Sequence, residues 1–523
     1  MKNKPFLYLL PIFLAFQTLA QPNLSNQFCY GGSQIETGSW AELLPNGSRI
    51  FGGITNSNNG DVNGLHNNSA DAWVVKTNAD GVLEFQRCIG GSDFDLAIAG
   101  SISPEGGIVA AGQTYSNDGD FIGQNKGACD AFIAKVAPNG NLVWAKLLGG
   151  AQCDLFEAVW PIASGGYLTG GETASNDGDI SNFLGGVSDM FLARFDENGN
   201  QVWKKTYGGT GMDRCLDLWK TIDGQFIVLG ETNSTDGHFP ATHGQNDVVL
   251  MKIDLNGDIL WTKTFGGNSF DRGVTVRQKT NGEYVVLAGT QSTSGQVSGF
   301  QGFRDIWVFR TDANGNLLSQ RCLGGTQADD PGGLEIAPNG DILVAGSSRS
   351  TDGDLASDPG SAAGNGWLVL LNANLDIRWA ATFGTANGTQ LFYAAPTITG
   401  GAFAIGVSEG IAGDVTCSKG SQDIWAFDLA PSVGAVEIEA QPAFKLSPNP
   451  ASTQLSILAG KETIEAFNVL IINVLGQIAL ETNGTLEQIN STLSQKVGHF
   501  PKGQYVLQLR TEERTEVLPF LKY

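Results

Sequence analysis

The chain has 523 residues, 41% of them hydrophobic, with 70 glycines and a formal net charge of −22. Glycine at about twice its usual ~7% without a Gly-X-Y period excludes collagen, and the hydrophobic content excludes a disordered chain, so the glycines are expected to serve turns. An acidic surface repels phosphate backbones, which sets nucleic acid aside as a partner.

At the start, Lys2 and Lys4 precede the apolar run Pro5 to Phe16, and Gln17-Thr18-Leu19-Ala20 follows. This is the pattern of a secretory signal peptide over residues 1–20. The run is too short to span ~30 Å of hydrocarbon, which needs roughly 20 residues, and no later segment reaches that length. An exported chain meets an oxidising compartment, where its seven cysteines leave at least one without an intramolecular partner. Cys129 begins a predicted strand and Cys153 follows its hairpin mate, so this pair could bond.

From there the sequence repeats. Glycines that close an apolar strand stand at Gly31, Gly90, Gly149, Gly208, Gly266, Gly324 and Gly384, separated by 59, 59, 59, 58, 58 and 60 residues. The unit opening at Gly149-Gly150 reads as four strands, Phe156 to Ile162, Tyr167 to Glu172, Met190 to Phe195 and Gln201 to Tyr207. Asn198-Gly199 links the last two, as Asn139-Gly140, Asn256-Gly257, Asn314-Gly315 and Asp80-Gly81 do elsewhere, and such pairs predict type I′ hairpins with two positive φ angles. Seven four-stranded units predict an all-β fold, a seven-bladed β-propeller over residues 21–429, since radial closure leaves only short edges. An open β-solenoid or two smaller propellers is the alternative. The seventh unit has a third strand, Asp423 to Leu429, but no clear fourth. Gln27 to Gly31 is expected to complete that blade, with Ala435 to Ile438 as its rival.

Units such as Lys263-Thr264-Phe265-Gly266-Gly267…Asp271 resemble the SBBP β-propeller repeats of bacterial secreted proteins, over residues 28–429. The resemblance implies a fold and a surface role. Asn365-Gly366 in the sixth unit, and Thr385 and Thr389 in the seventh, depart from the pattern and predict less regular blades there.

Residues 430–445 read as an irregular linker. From Leu446 glycine thins, and 6 Lys+Arg against 7 Asp+Glu make this end nearly neutral, leaving −21 of the −22 on the repeats. Alternating stretches around Leu455/Ile457, Phe467/Val469/Ile471, Ile489, Leu493 and Tyr505/Leu507/Leu509 predict a small β-sandwich. The segment 446–523 resembles the type A C-terminal sorting domain of Bacteroidetes type IX secretion substrates. Its matching positions are Pro448-Asn449-Pro450, Gly476 in a Leu-Gly-Gln turn, Gly503 and Tyr505 in a Lys-Gly-Gln-Tyr-Val-Leu strand, and Lys522 in a terminal Phe-Leu-Lys. The resemblance implies recognition by the type IX translocon, and release or anchoring at the cell surface.

Two acidic series recur. Asp95, Asp154, Asp213, Asp271 and Asp329 stand five residues after the first glycine, with Glu36 in the first unit; Asp71, Asp130, Asp189, Asp247, Asp305 and Asp423 precede the third strand. Carboxylates brace tight turns by accepting backbone N–H bonds. The alternative is calcium, held by these residues or by the loops carrying Asp118, Asp120, Asp177 and Asp179. His238 and His243 lack the cysteines of a zinc finger, and Gly406-Val407-Ser408-Glu409-Gly410 spells a nucleophile elbow but aligns with a strand end. Trp144, Trp203, Trp261 and Trp379, and likewise Trp73, Trp307, Trp367 and Trp425, recur at two strand positions and predict packing between blades. No catalytic residue is identified. The expected role is a non-catalytic surface or secreted module binding a glycan or an extracellular protein. A polysaccharide-active enzyme and a purely structural envelope protein are the alternatives.

Overall fold

The structure is a computed structural model. It describes residues 23–430 apart from 68, 163–164, 240–241, 356–363, 386 and 398–399, and at the C-terminal end 444–447, 451, 454–459, 467–473, 478–510 and 515–522. The signal-peptide reading of residues 1–20 lies outside these.

Among the described residues, the strands from Leu24 to Leu429 form seven four-stranded antiparallel sheets. The first contains Glu36–Leu43, Arg49–Thr55, Asp71–Thr77 and Leu83–Ile89 in that order. The first strands of the seven sheets are Glu36–Leu43, Asp95–Ile102, Asp154–Pro161, Asp213–Lys220, Asp271–Gln278, Asp329–Ile336 and Thr389–Pro396. Each packs on the next, and the seventh packs on the first, so the sheets close a propeller-like ring with these strands innermost. Parallel bridges stitch neighbouring sheets outside the named strands, among them Ser188 to Met212, Asn246 to Phe270 and, at the closure, Ile35 to Gln422.

Closure uses the N-terminal strand. Leu24–Tyr30 pairs antiparallel with Asp423–Leu429, from Asn26 opposite Asp428 to Tyr30 opposite Ile424, and completes the seventh sheet. Its place is the edge that Ala435 to Ile438 would need; those residues lie outside the described ones. Cys29 on this strand is disulfide-bonded to Cys417, 388 residues away, and Cys129 to Cys153; Cys88, Cys215 and Cys322 are buried free thiols.

The hairpins differ from the type I′ expectation. Gly81, Gly140, Gly199, Gly257 and Gly315 have φ of 76–83°, but the residue before each does not have positive φ. The glycine instead follows a tight turn that ends in a bulge, as between Lys76 and Thr77. The Asn78 side chain stabilises that turn by accepting from the backbone N–H of Val82 at 2.9 Å. One residue with positive φ is enough for this turn, and the side chain of Asn or Asp at its start fixes it. The sixth and seventh sheets keep strands of seven and eight residues like the others. Their sequence departures change side-chain chemistry and leave the strand geometry regular.

At the C-terminal end Phe444–Ser447 pairs with Ser456–Ala459, so a strand begins inside the expected linker, and a four-stranded sheet runs Ile478–Gly484, Phe467–Asn473, Gly503–Arg510, Thr515–Lys522. Ile489 and Leu493 belong to a helix, Leu486–Lys496, where strands were expected. Their spacing of four puts both on one face, where they are buried. Thr485 caps the helix reciprocally with Gln488, satisfying two free backbone N–H groups.

Candidate functional site

Both acidic series lie in the turns. Asp95 accepts from the Gly91 N–H at 2.9 Å and from the hydroxyls of Thr114 and Ser116. The same set recurs as Asp154 with Gly150, Thr173 and Ser175, as Asp213 with Gly209, Thr232 and Ser234, and as Asp271 with Gly267, Thr290 and Ser292. Asp329 takes Gly325, Ser348 and Ser350. The second series accepts from loop N–H groups four or five residues upstream, such as His66 to Asp71 at 2.9 Å and Gln301 to Asp305 at 2.7 Å.

The four loop carboxylates are also engaged with protein donors. Asp118 accepts from the Ser92 N–H at 2.6 Å and Asp177 from the Ala151 N–H at 2.7 Å. Asp120 bonds Arg87 at 2.9 Å and the Gly90 N–H, while Asp179 bonds Lys126 and the Gly149 N–H. The bond from Ser92 holds Asp118 below the ordinary carboxylate range. Among the described residues no three His, Cys, Asp or Glu side chains are grouped to hold a metal ion. His238 meets the Gly208 backbone and His243 meets Asp247, so the two rings have separate partners. With these loop carboxylates engaged by protein donors, chelation is expected to leave the melting temperature unchanged. A fall on chelation reversed by calcium would instead establish the calcium reading.

The repeated tryptophans pack between sheets. Trp73, Trp307, Trp367 and Trp425 are fully buried. Trp144 stands edge-on to Tyr167 of the next sheet, and Trp261 to Tyr284.

The residues that do not recur gather on the axis. Every inner strand carries a bulge near its middle, as between Gly38 and Trp40 and between Cys215 and Asp217, and a bulge re-aims the residues beyond it. The seventh residue of the seven inner strands is Glu42, Ser101, Trp160, Trp219, Arg277, Glu335 and Ala395. Six of these line a cavity of about 430 Å³ at one end of the axis. A second cavity, of about 830 Å³, lies where the inner strands begin and is lined by Glu157, Arg272, Asp330 and Gln390 among others.

In the first cavity the Arg277 guanidinium donates to Glu335 at 2.8 Å, to Asp217 at 3.1 Å and to Thr275 at 2.7 Å, and lies 4.4 Å from the centre of the Trp219 ring. Trp160 and Trp219, both half-buried, have centroids 4.7 Å apart. Glu42 accepts from the Ser101 hydroxyl and the Ile102 N–H at 3.1 and 3.2 Å. Burial raises the carboxyls of Glu42 and Glu335, even with Arg277 near both. Four acids, Glu42, Glu157, Asp217 and Glu335, against Arg277 make this lining net acidic.

Of the sorting positions, Pro448, Asn449, Pro450 and Gly476 lie outside the described residues. Gly503 opens a strand of the four-stranded sheet, Tyr505 is buried with its hydroxyl donating to the Pro501 carbonyl at 2.9 Å, and Lys522 is buried opposite Gly503.

Residues 445–520 match the secretion system C-terminal sorting domain. The protein is therefore secreted or held at the cell surface through the type IX system, and none of its described helices is long and apolar enough to cross a membrane. The chain is 26% identical over 190 residues to the regulatory protein FlaEY of Caulobacter vibrioides, covering 34% of this chain and 19% of that one, so it spans about a fifth of that relative. Among solved structures it is similar to Sqt1 from Chaetomium thermophilum, with TM-score 0.40 and 11% identity, covering 78% of this chain and 100% of that one. It is also similar to a puromycin hydrolase, with TM-score 0.39 and 12% identity over 73% of this chain and 52% of that one.

Proposed function

We propose that the protein is an exported seven-bladed β-propeller of the SBBP repeat type, with a small C-terminal sandwich for sorting, and that its axial cavity binds a glycan without turning it over. The observation that carries this is the set of unlike residues at the seventh position of the inner strands, inside a fold that otherwise repeats itself. Packing needs the same residue in each sheet, whereas recognition of an unsymmetrical ligand needs different ones. The half-buried Trp160 and Trp219 offer apolar faces for a sugar ring, and Glu42, Ser101 and Glu335 offer polar groups around them, in a volume suited to one or two sugar residues. A net acidic lining favours neutral or amino sugars over uronic acids.

Trp160→Ala and Trp219→Ala are expected to weaken binding at least tenfold, or about 1.4 kcal/mol, and to melt lower than the wild type because each ring also packs on a core between sheets, so binding is compared well below the melting transition. Calorimetry of the purified protein on a panel of neutral, amino and acidic oligosaccharides checks this; equal binding by wild type and both variants would refute the axial site. A second reading, hydrolysis of the same glycan, draws on the raised carboxyls of Glu42 and Glu335. Release of reducing ends by wild type, lost in Glu42→Gln and Glu335→Gln, would establish it.

A further inference from the structure

At six of the seven repeat glycines, two buried carboxyl groups from neighbouring sheets close on the same backbone atom. A Cβ added at Gly90 would lie within 3.2 Å of both Asp95 Oδ2 and Asp71 Oδ1. The same holds for Asp154 and Asp130 at Gly149, Asp213 and Asp189 at Gly208, Asp271 and Asp247 at Gly266, Asp329 and Asp305 at Gly324, and Glu36 and Asp423 at Gly31.

Within each pair the two acids differ. Burial raises Asp95, Asp154, Asp213, Asp271 and Asp329, and the hydroxyl and backbone donors they receive, which favour the ionised form, offset part of that rise. The second acid uses Oδ2 for its loop, but Oδ1 of Asp71, Asp130, Asp189, Asp247, Asp305 and Asp423 is buried without a hydrogen-bond partner. These residues are at most 2% exposed. A buried carboxylate oxygen with no hydrogen-bond partner is costly near a second acid, whereas protonation removes its charge and makes it a donor. The seventh position supplies the internal comparison. Around Gly384 the corresponding residues are Asn365 and Thr389, so both carboxyls are absent from the same site. Two independent braces could be replaced separately; loss of both together marks a coupled unit.

We propose that four of these pairs, those of Asp71, Asp130, Asp189 and Asp305, each bind one proton in the folded protein, carried by the acid that precedes the third strand, making the ring a set of proton-binding sites.

Burial pushes Asp71, Asp130 and Asp189 up to about 6 and Asp305 up to about 7. Other groups face these acids. His66, Asp95 and Cys88 face Asp71; Lys126, Asp154 and Asp179 face Asp130; Asp213 faces Asp189; and Asp329, Asp354 and Cys322 face Asp305. His243 and Asp271 face Asp247, and Lys419 and Glu36 lie beside Asp423. A carboxyl raised by folding contributes stability that is fully present below its unfolded value of about 4 and is lost as pH rises through its folded value. Carboxylates held low, such as Asp118, Asp196, Asp312 and Asp352, lose their contribution only below about pH 4, in a separate window.

The test is the melting temperature of the full chain from about pH 5 to about pH 8, with proton release on unfolding measured by calorimetry in buffers of different ionisation enthalpy. The expected result is a melting temperature that falls toward the alkaline end and net proton release at about pH 6. Asp305→Asn, which copies the chemistry of Asn365, should release about one proton fewer and flatten the fall. Should that variant fail to fold, Asp189→Asn and the infrared band of protonated carboxyl groups in the folded wild type provide the same reading. A flat or rising profile with no such band would overturn the proposal.

Discussion

Deletion of Leu446 to Tyr523 is expected to yield a folded protein that stays in the periplasm. The C-terminal core is built from residues of its own segment, from Ala451 and Leu455 through Ile489 and Leu493 to Leu509 and Phe520. The cores between the sheets are built from residues before 430. Removing one therefore opens no cavity in the other, and the ring should keep its melting temperature within about 1 kcal/mol of stability. Surface delivery, in contrast, should fall to background, because the part that the type IX system reads is gone. Cell fractionation with protease shaving of whole cells measures delivery, and differential scanning fluorimetry of the periplasmic fraction measures the fold. A truncated chain found at the surface at wild-type levels would refute the assignment of export to this segment.

Loss of the closing strand should have the largest effect on stability. Deleting Gln21 to Gly32 removes the ladder opposite Asp423–Leu429, the bond from Trp425 Nε1 to Gln27 at 3.0 Å, and the disulfide from Cys29 to Cys417. It also leaves Asp423–Leu429 as an open edge, a site for aggregation. The double variant Cys29→Ser, Cys417→Ser isolates the covalent part. Cross-links closing long loops stabilise by about 2–5 kcal/mol, so this variant should melt several degrees lower, with the strand still in place. Reduction of the wild type should reproduce the shift. A deletion that melts like the wild type would mean that another segment closes the ring.

Much of this was legible in the sequence because the repeat is written in turn chemistry. The glycines at intervals of 58–60 residues recur in every unit, and the two acidic series brace the turns at six of the seven glycines, Gly384 being the exception. Closure by the N-terminal strand followed from the missing fourth strand after Leu429. The disulfide that secures it was not legible, since only the closed ring brings Cys29 and Cys417 together. The C-terminal helix could have been found from Thr485 and Gln488, three apart before an apolar pair spaced by four; the alternation of the surrounding strands concealed it. The axial cavity escaped for a different reason. A search for self-similarity weighs what recurs in every unit, while the position of Glu42, Trp160, Trp219, Arg277 and Glu335 is set apart by varying from unit to unit. The repeat spacing gives them one position in the unit, but only the fold shows that this position lines a cavity.

The arrangement of the closing sheet also governs timing. Its edge strand is among the first parts of the described chain to be synthesised, yet its neighbour, Asp423–Leu429, comes about 400 residues later. At about 5–20 residues per second, that strand waits tens of seconds for its partner. Contacts between such distant segments form late and slowly, so six sheets can assemble while the seventh is still a three-stranded remnant with a bare edge. Oxidation of Cys29 with Cys417 can occur only after that wait, and it marks a ring that has been completed. The bond therefore joins the first strand of the ring to its last sheet only in a chain synthesised that far.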